Sequence, residues 1–361
     1  MHKVLVLNDT IISKNFGCQL VSHSLRKTLS KYYPDSHIDY VPYNVKSINT
    51  DNNYDVVIVN GEGSFGHHRN APDGFRKFVE PCNYFFNKGV PVHLVNCSIQ
   101  IPLDVLQRFV PFLAKFETIG LREPISYLYL YKNTSLSNIK LYPDLGTSYF
   151  NEEETQKTID FCFGFGALGK EHNSIQPQIR DYFNVVKNII SEGYSVKYLG
   201  FPGNPFNDSH LAGNHLQGVE VIETSFKEYY HTVKKAKINV TGRHHGAIMS
   251  FIGKTPFMSF ESNMWKTEGD QFFYGPFDYF RFRDLKTDQL TMYCIDSYRK
   301  SQAQTNLLKS RYEDLKPLFE GHVVCTLGEF SDAVERGLVN IDEVDKRLQE
   351  LTYLDLGKYG L

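Results

Sequence analysis

The stretch from Lys237 to Phe260 constrains the fold of this chain more than any other. Apolar residues at Ile238–Val240 predict a short buried strand, followed by a turn and then by the letters RHHG at 243–246, which open a helix. Small and apolar residues from Ala247 to Ile252 predict a helix that packs tightly on a sheet. Gly253 ends this helix, and Pro256–Phe260 predicts a second buried strand. Strand, helix and strand in this order indicate an α/β domain.

The turn of this stretch is suited to an anion. A helix start leaves backbone N–H groups and the positive end of its dipole pointing outwards, and Arg243 stands beside it with His244, His245 and Gly246. The helix dipole disfavours the protonated form of His245, whereas a bound anion favours that form. These opposed effects can bring the pKa of the imidazole into the range for proton transfer near neutral pH. We expect an anionic donor substrate here, with Arg243 and His245 as catalytic residues and His244 and Gly246 as substrate contacts. His244 could instead point into the domain, where an apolar residue would serve.

The rest of the chain repeats the alternation of apolar strands and amphipathic helices in two halves. At 361 residues the chain exceeds the usual size of one core, and the polar segment NEEETQK at 151–157 predicts a linker. We predict two Rossmann-like α/β domains that face a central crevice, as in GT-B glycosyltransferases, followed by C-terminal helices. The predicted boundaries are 1–150 for the acceptor side, 158–300 for the donor side and 301–361 for the helical extension.

Composition excludes several classes of partner and location. The formal net charge is −2 and the basic residues are dispersed, which argues against nucleic acid. The six cysteines show no CxxC or zinc spacing, so we expect them reduced and buried. The start MHKVLVLND lacks the pattern of a signal peptide, and no apolar run is long enough to span a membrane. We therefore expect a cytoplasmic protein, either free or peripheral at the inner membrane face.

Further candidate residues lie where predicted strands of the first half end. In an open α/β sheet, ligands bind outside the carboxyl ends of the strands. Arg122 follows one strand and could contribute a catalytic cation from across the crevice, unless it pairs with Glu117 or Glu123. The remaining candidates for substrate contact are Asn8, Asp9 and Gly17 after the first strand, and Gly61, Glu62, Gly63 and Ser64 in a glycine-rich loop. A tight turn and a helix cap are the alternatives for these residues.

Metal and nucleotide signatures are weak. His67 and His68 have no partners at metal-ligand spacing, so no metal site is predicted. Glu261 and Glu268 are seven positions apart, one short of the acidic pair that grips nucleotide-sugars in retaining two-domain glycosyltransferases. Between them, Asn263 and Lys266 fall in a predicted loop where Lys266 could meet an anion.

At these residues the chain resembles the polysaccharide pyruvyl transferase family. The elements that carry the resemblance are VLVLND…NFG, VVIVNGEGSF, IGLREPIS, PDLG and VTGRHHGAIMSFIGKTPFMSF, in the family's order. Two positions depart from the family's pattern: Glu62 stands where a second glycine is common, and His244 replaces the usual leucine of the Arg-Leu-His-Gly element.

The resemblance implies a phosphoenolpyruvate donor and the formation of a pyruvate ketal across two hydroxyls of a sugar acceptor, free, lipid-linked or nucleotide-linked. It implies that Arg243, the helix start and Lys266 hold the donor, that Arg122 adds a second cation, and that His245 protonates the methylene carbon of the donor. No cofactor or metal is expected. A nucleotide-sugar glycosyltransferase and an inactive binding protein are the alternatives; the missing acidic pair argues against the first and the intact Arg-x-His-Gly turn against the second.

Overall fold

The computed structural model describes residues 2–43, 53–65, 73–150, 154–166, 175–200, 208–223, 225–260, 264–275, 279–280 and 286–358. The chain divides into two compact units. Unit 1 contains the chain up to Ile12, Val21–Ser148 and the chain from Pro317 onward. Unit 2 contains Ser13–Leu20 and Tyr149–Lys316. The predicted helical extension is therefore divided, because its part after Lys316 belongs to unit 1.

The core of unit 1 is a six-stranded parallel sheet of order β2-β1-β3-β4-β5-β6. Its strands are β1 (Lys3–Asp9), β2 (His37–Pro42), β3 (Val56–Phe65), β4 (Val92–Ile99), β5 (Thr118–Leu121) and β6 (Ile139–Leu141). Its helices are α1 (Phe16–Tyr32), α2 (Asp73–Asn87), α3 (Leu103–Leu113), α4 (Pro124–Asn133), and after unit 2 α11 (Gly321–Val324) and α12 (Ile341–Lys358). Val21, Leu25 and Leu29 of α1 pack on Val4, Val6 and Ile58 of the sheet, as their four-residue spacing predicts.

Unit 2 holds a second parallel sheet, of order β12-β11-β10-β7-β8-β9. Its strands are β7 (Ile159–Gly164), β8 (Val196–Leu199), β9 (Glu220–Ile222), β10 (Ala236–Thr241), β11 (Phe257–Phe260) and β12 (Tyr279–Phe280). Its helices are α5 (Ile175–Ser191), α6 (Asp208–His215), α7 (Phe226–Lys235), α8 (His244–Ile252), α9 (Lys266–Tyr274) and α10 (Thr287–Leu315). The first turn of α1 belongs to this unit.

Each sheet has one point where the order of strands reverses. In unit 1 the chain adds β2 on one side of β1 and β3 on the other. In unit 2 it adds β8 and β9 on one side of β7, and β10 on the other. Ligands of open α/β sheets bind outside the carboxyl ends of the strands at such a point. The carboxyl ends of β1 and β3, and those of β7 and β10, are therefore the places to search for a site.

Arg243–Gly246 were expected to open a helix, and α8 begins at His244, so both histidines lie in its first turn. Two local predictions differ from the structure. The letters GEGSF at 61–65 were expected as a loop but continue β3, with an irregular register between Glu62 and Phe65. Lys266 was expected in a loop but is the first residue of α9.

All six cysteines lie in the described part of the chain, and none forms a disulfide bond there. Five are buried, and Cys18 is partly exposed. Among the helices of the described residues, none combines the length and the apolar character needed to cross a membrane.

Candidate functional site

The head of α8 in unit 2 is built on a very tight turn after β10. A Cβ atom added to Gly242 would lie 2.3 Å from the Phe260 ring and 2.7 Å from Cα of Gly166, so the backbone passes where only glycine fits. The Oγ1 of Thr241 accepts a hydrogen bond from the Arg243 backbone N–H at 3.1 Å. This turn brings Arg243, His244 and His245 to the carboxyl end of β10, at the reversal of strand order.

His244 is buried against an aspartate of the next helix. Its Nδ1 lies 3.0 Å and 2.9 Å from the two carboxylate oxygens of Asp270 in α9. His244 is 3% exposed and Asp270 is 0% exposed. His244, which stands where the family usually has leucine, thus has an acidic partner. The sequence does not reveal this pair, because the two residues lie far apart in the chain.

The imidazole of His245 packs against the first turn of α1. A Cβ atom added to Gly17 would lie 2.0 Å from Nδ1 and 2.3 Å from Cγ of His245, so the imidazole occupies the place of a side chain at position 17. The ring also contacts that of His244 edge to face, with centroids 4.9 Å apart. Gly17 was predicted as a contact together with Asn8 and Asp9; the structure places it in unit 2, against the predicted general acid.

The remaining predicted residues of unit 2 are distributed around α8 and α9. Arg243 is the residue before α8 and is mostly buried. Gly246 packs so closely on Thr241 that an added Cβ would lie 2.5 Å from its Oγ1. Lys266 begins α9 with a partly exposed side chain, four residues before Asp270. Asn263 lies outside the described residues.

In unit 1, the carboxyl ends of three neighbouring strands carry non-glycine residues in the left-handed backbone region. These are Asn8 at φ 63°, Glu62 at φ 41° and Asn96 at φ 54°, and all three are buried. Such a conformation costs free energy at a residue other than glycine, and it occurs where surrounding contacts hold it, often at functional sites. Glu62 replaces a common glycine of the family at one of these positions.

A hydrogen-bonded network joins the ends of β1 and β3. Asn8 Nδ2 donates to the backbone oxygen of Asn60 at 2.5 Å, and Asn60 Nδ2 donates to Oε1 of Glu62 at 2.9 Å. Thr10 also donates to Oε1 of Glu62. Asp9 pairs with Arg26 of α1 at 2.5 Å. Of the neighbouring predicted residues, Gly61 is buried against Cys97, whereas Gly63 is exposed and Ser64 partly exposed.

Arg122 directly follows β5 and forms a fully buried ion pair. Its Nε donates to Oγ of Ser98 at 2.9 Å, and its Nη1 lies 3.0 Å from Oδ2 of Asp144, with the two charged side chains 2% and 0% exposed. Burial alone would lower the pKa of Arg122, but the charges of Asp144 and Glu62 outweigh it and the pKa is raised. The partner is neither Glu117 nor Glu123, the alternatives considered from the sequence.

The family-like elements around Arg122 have clear structural roles. Glu123 caps α4 by accepting hydrogen bonds from the N–H groups of Ile125 and Ser126. Asp144, in the PDLG element after β6, also accepts from the N–H of Gly146 at 2.7 Å. The PDLG letters carry part of the family resemblance, but the sequence does not pair their aspartate with Arg122.

His322 of α11 inserts into the same region of unit 1. Its Nδ1 accepts a hydrogen bond from the Asn96 N–H at 3.2 Å, and an added Cβ at Gly120 would lie 2.4 Å from that nitrogen. Burial lowers the pKa of His322 to about 3, so the ring is neutral. The segment after unit 2 therefore returns to support the strand ends of unit 1, which helical periodicity did not reveal.

Several solved structures share the fold at low sequence identity. The UDP co-structure of S. aureus MnaA has a TM-score of 0.61 at 14% identity, covering 92% of this chain and 100% of that chain. A putative UDP-N-acetylglucosamine 2-epimerase from Listeria monocytogenes has a TM-score of 0.61 at 9% identity, with coverages of 90% and 95%. The glycotransferase of kitacinnamycin has a TM-score of 0.56 at 10% identity, with coverages of 90% and 97%. These likenesses confirm the predicted GT-B-type fold with two parallel-sheet α/β domains and C-terminal helices.

No curated protein sequence matches the chain. The family model of polysaccharide pyruvyl transferases, by contrast, matches residues 15–263. This range includes Arg122, Asp144 and the whole head of α8, and it confirms the resemblance found in the sequence motifs. The chain therefore belongs to the polysaccharide pyruvyl transferase family.

Proposed function

We propose that this protein transfers the pyruvyl group of phosphoenolpyruvate onto two hydroxyls of a sugar in a cell-surface polysaccharide or its precursor. The observation that carries the proposal is the head of α8, where an arginine and two histidines meet a helix N-terminus within the range of the family match. Phosphoenolpyruvate carries a phosphate and a carboxylate, and both groups suit such a helix start.

The donor is held by charge and by backbone N–H groups. Arg243 supplies a planar guanidinium, which binds phosphate or carboxylate through two parallel hydrogen bonds. Lys266 at the start of α9 adds a second positive charge. In unit 1, Ser98 and Asp144 fix the guanidinium of Arg122, so an anion that binds at this strand end meets a preorganised cation.

His245 acts as the general acid in this proposal. It protonates the methylene carbon of the donor, and an oxocarbenium-like centre develops at the neighbouring carbon, which one sugar hydroxyl attacks. The second hydroxyl then closes the ketal as phosphate leaves. These steps require no metal or cofactor, because the arginines and the helix start stabilise the negative charge of the donor.

The second candidate is a glycosyltransferase that uses a nucleotide-sugar. The shared fold favours it, since a UDP co-structure and a glycotransferase stand among the similar structures. The same helix start could bind a diphosphate. The family match favours the pyruvyl transferase.

The test is phosphate release from phosphoenolpyruvate in the presence of candidate glycans, with thermal unfolding measured for phosphoenolpyruvate and for nucleotide-sugars. We expect phosphate release that depends on the glycan, and stabilisation by phosphoenolpyruvate. His245→Ala should abolish turnover and leave that stabilisation largely intact, whereas His210→Ala, at an exposed histidine of α6, should change neither. Stabilisation by nucleotide-sugars alone would favour the second candidate.

A further inference from the structure

The pair formed by Asp270 and His244 has no role in the family's pattern, because the position of His244 is usually leucine. Its geometry is specific. Oδ2 of Asp270 is hydrogen-bonded to Nδ1 of His244 at 3.0 Å, and Oδ1 lies 2.9 Å from the same nitrogen, so the carboxylate charge is held against the ring. A carboxylate at 0% exposure is costly unless it accepts hydrogen bonds from a fixed donor.

This contact determines which nitrogen of His244 carries the proton. Nδ1 donates to Asp270, and the neutral ring then offers its Nε2 lone pair as a proton acceptor. When Nε2 takes a proton, the carboxylate behind the ring stabilises the imidazolium that forms. An aspartate and a histidine in this relation are a general way to make a base.

The position of His244 next to His245 adds a second constraint. The two rings touch edge to face with centroids 4.9 Å apart. Asp270 holds His244 from behind, and Gly17 leaves room for His245 on the first turn of α1. Two imidazoles of different environment are therefore fixed side by side at the same strand end.

We propose that His244, held by Asp270, is the general base that accepts the proton of the attacking sugar hydroxyl. This inference rests on the proposed function. Addition to an enol phosphate places a proton on one carbon of the double bond and an oxygen on the other. An acid and a base must therefore act at adjacent atoms, and neighbouring histidines on one helix turn meet that requirement.

The protons and bonds of the reaction balance over the two histidines. In the first step, protonated His245 gives its proton to the methylene carbon, the hydroxyl oxygen bonds to the neighbouring carbon, and His244 takes the hydroxyl proton. In the second step, the carbon–oxygen bond to phosphate breaks and His244 returns its proton to the departing phosphate. The second hydroxyl bonds to the same carbon and gives its proton to neutral His245. Both histidines are then in their starting states.

The decisive variant is His244→Asn. The asparagine amide can still donate to Asp270 as Nδ1 does, so the buried carboxylate keeps a partner, but an amide does not accept a proton near neutral pH. We expect kcat for phosphate release to fall on the order of 10²-fold or more, with a nearly unchanged KM for phosphoenolpyruvate. Asp270→Asn should lower kcat as well, and should have no further effect in the His244→Asn background. His210→Asn and Asp288→Asn, at exposed positions, are the matched controls.

Nitrogen-15 spectra of the histidines provide a measurement that needs no substrate. They should show Nδ1–H as the protonated site of neutral His244, and Asp270→Asn should abolish this preference. Glycan-dependent phosphate release by the wild type, with His244→Asn retaining kcat within about threefold, would overturn the base assignment and leave the proposed function standing. Absence of phosphate release by the wild type would overturn the proposed function and with it the base, even if the spectra confirm the Asp270–His244 pair.

Discussion

Gly17 is the position where a single methyl group should disable the proposed general acid. The Cβ of an alanine there would lie 2.0 Å from Nδ1 and 2.8 Å from Cβ of His245, whereas ordinary contacts begin at 3.4 Å. The backbone of α1 cannot easily retreat, because the N–H of Gly17 donates to Oδ1 of Asn15 at 2.9 Å and the helix continues into unit 1. The imidazole must therefore move.

The size of the effect follows from that displacement. The ring must shift by roughly 1 Å or more, and such a misplacement of a catalytic group can cost about 10²-fold in rate. Stability should change far less. Alanine is favoured over glycine in a helix by about 0.5–1 kcal/mol, which offsets part of the ~1–3 kcal/mol that overpacking costs. We therefore expect Gly17→Ala to lower kcat about 10²-fold and the free energy of unfolding by no more than about 2 kcal/mol.

The assay is phosphate release at saturating phosphoenolpyruvate, together with urea unfolding. Gly213→Ala is the matched control, since an added Cβ in this helix of unit 2 would meet nothing within 4 Å. It should keep full turnover. A Gly17→Ala enzyme with kcat within about twofold of the wild type would refute the reasoning. Such a result would mean that catalysis does not depend on the place of the His245 imidazole against Gly17.

Two further predictions concern unit 1. Asp144→Asn leaves the charge of Arg122 buried without its counter-ion, and should lower the free energy of unfolding by about 3–5 kcal/mol in urea titrations; Asp296→Asn, in an exposed pair with Arg299, should leave the midpoint unchanged. Burial lowers the pKa of His93 to about 4 and that of His322 to about 3. In the unfolded chain both histidines take up protons near pH 6.5, whereas in the folded protein they stay neutral at that pH. The free energy of unfolding should therefore be highest above pH 6.5 and should fall as the pH drops towards 4. His93→Phe should reduce the slope of the free energy of unfolding against pH by the equivalent of about one proton. An unchanged slope in that variant would contradict the assignment of His93.

The fold could be predicted from the sequence because strands buried on both faces of a parallel sheet appear as continuous apolar runs. β1 and the first four residues of β3 show such runs, and helices such as α1 show the spacing of one apolar face. The sequence predicts a loop at GEGSF because its glycines are typical of a turn, whereas pairing with β4 extends the strand through these residues. Strand pairing depends on the neighbouring strand β4, so the sequence of GEGSF alone does not reveal it.

Arg243, His245 and Arg122 could be proposed from the sequence because each stands where a predicted strand ends. Their partners could not be predicted. Asp270 lies in a helix whose own sequence shows no reason for a buried carboxylate, and Asp144 is an ordinary turn residue until Arg122 is placed beside it.

The sequence by itself thus determined two α/β units and the strand ends at which we propose the donor site, because hydrophobic periodicity and turn chemistry act over a few residues. Only the tertiary structure decided that His244 has a carboxylate behind it, that Gly17 leaves room for His245, and that His322 returns to support unit 1. These contacts join residues 26 to more than 200 positions apart in the chain. They depend on the packing of whole elements, which no local pattern encodes.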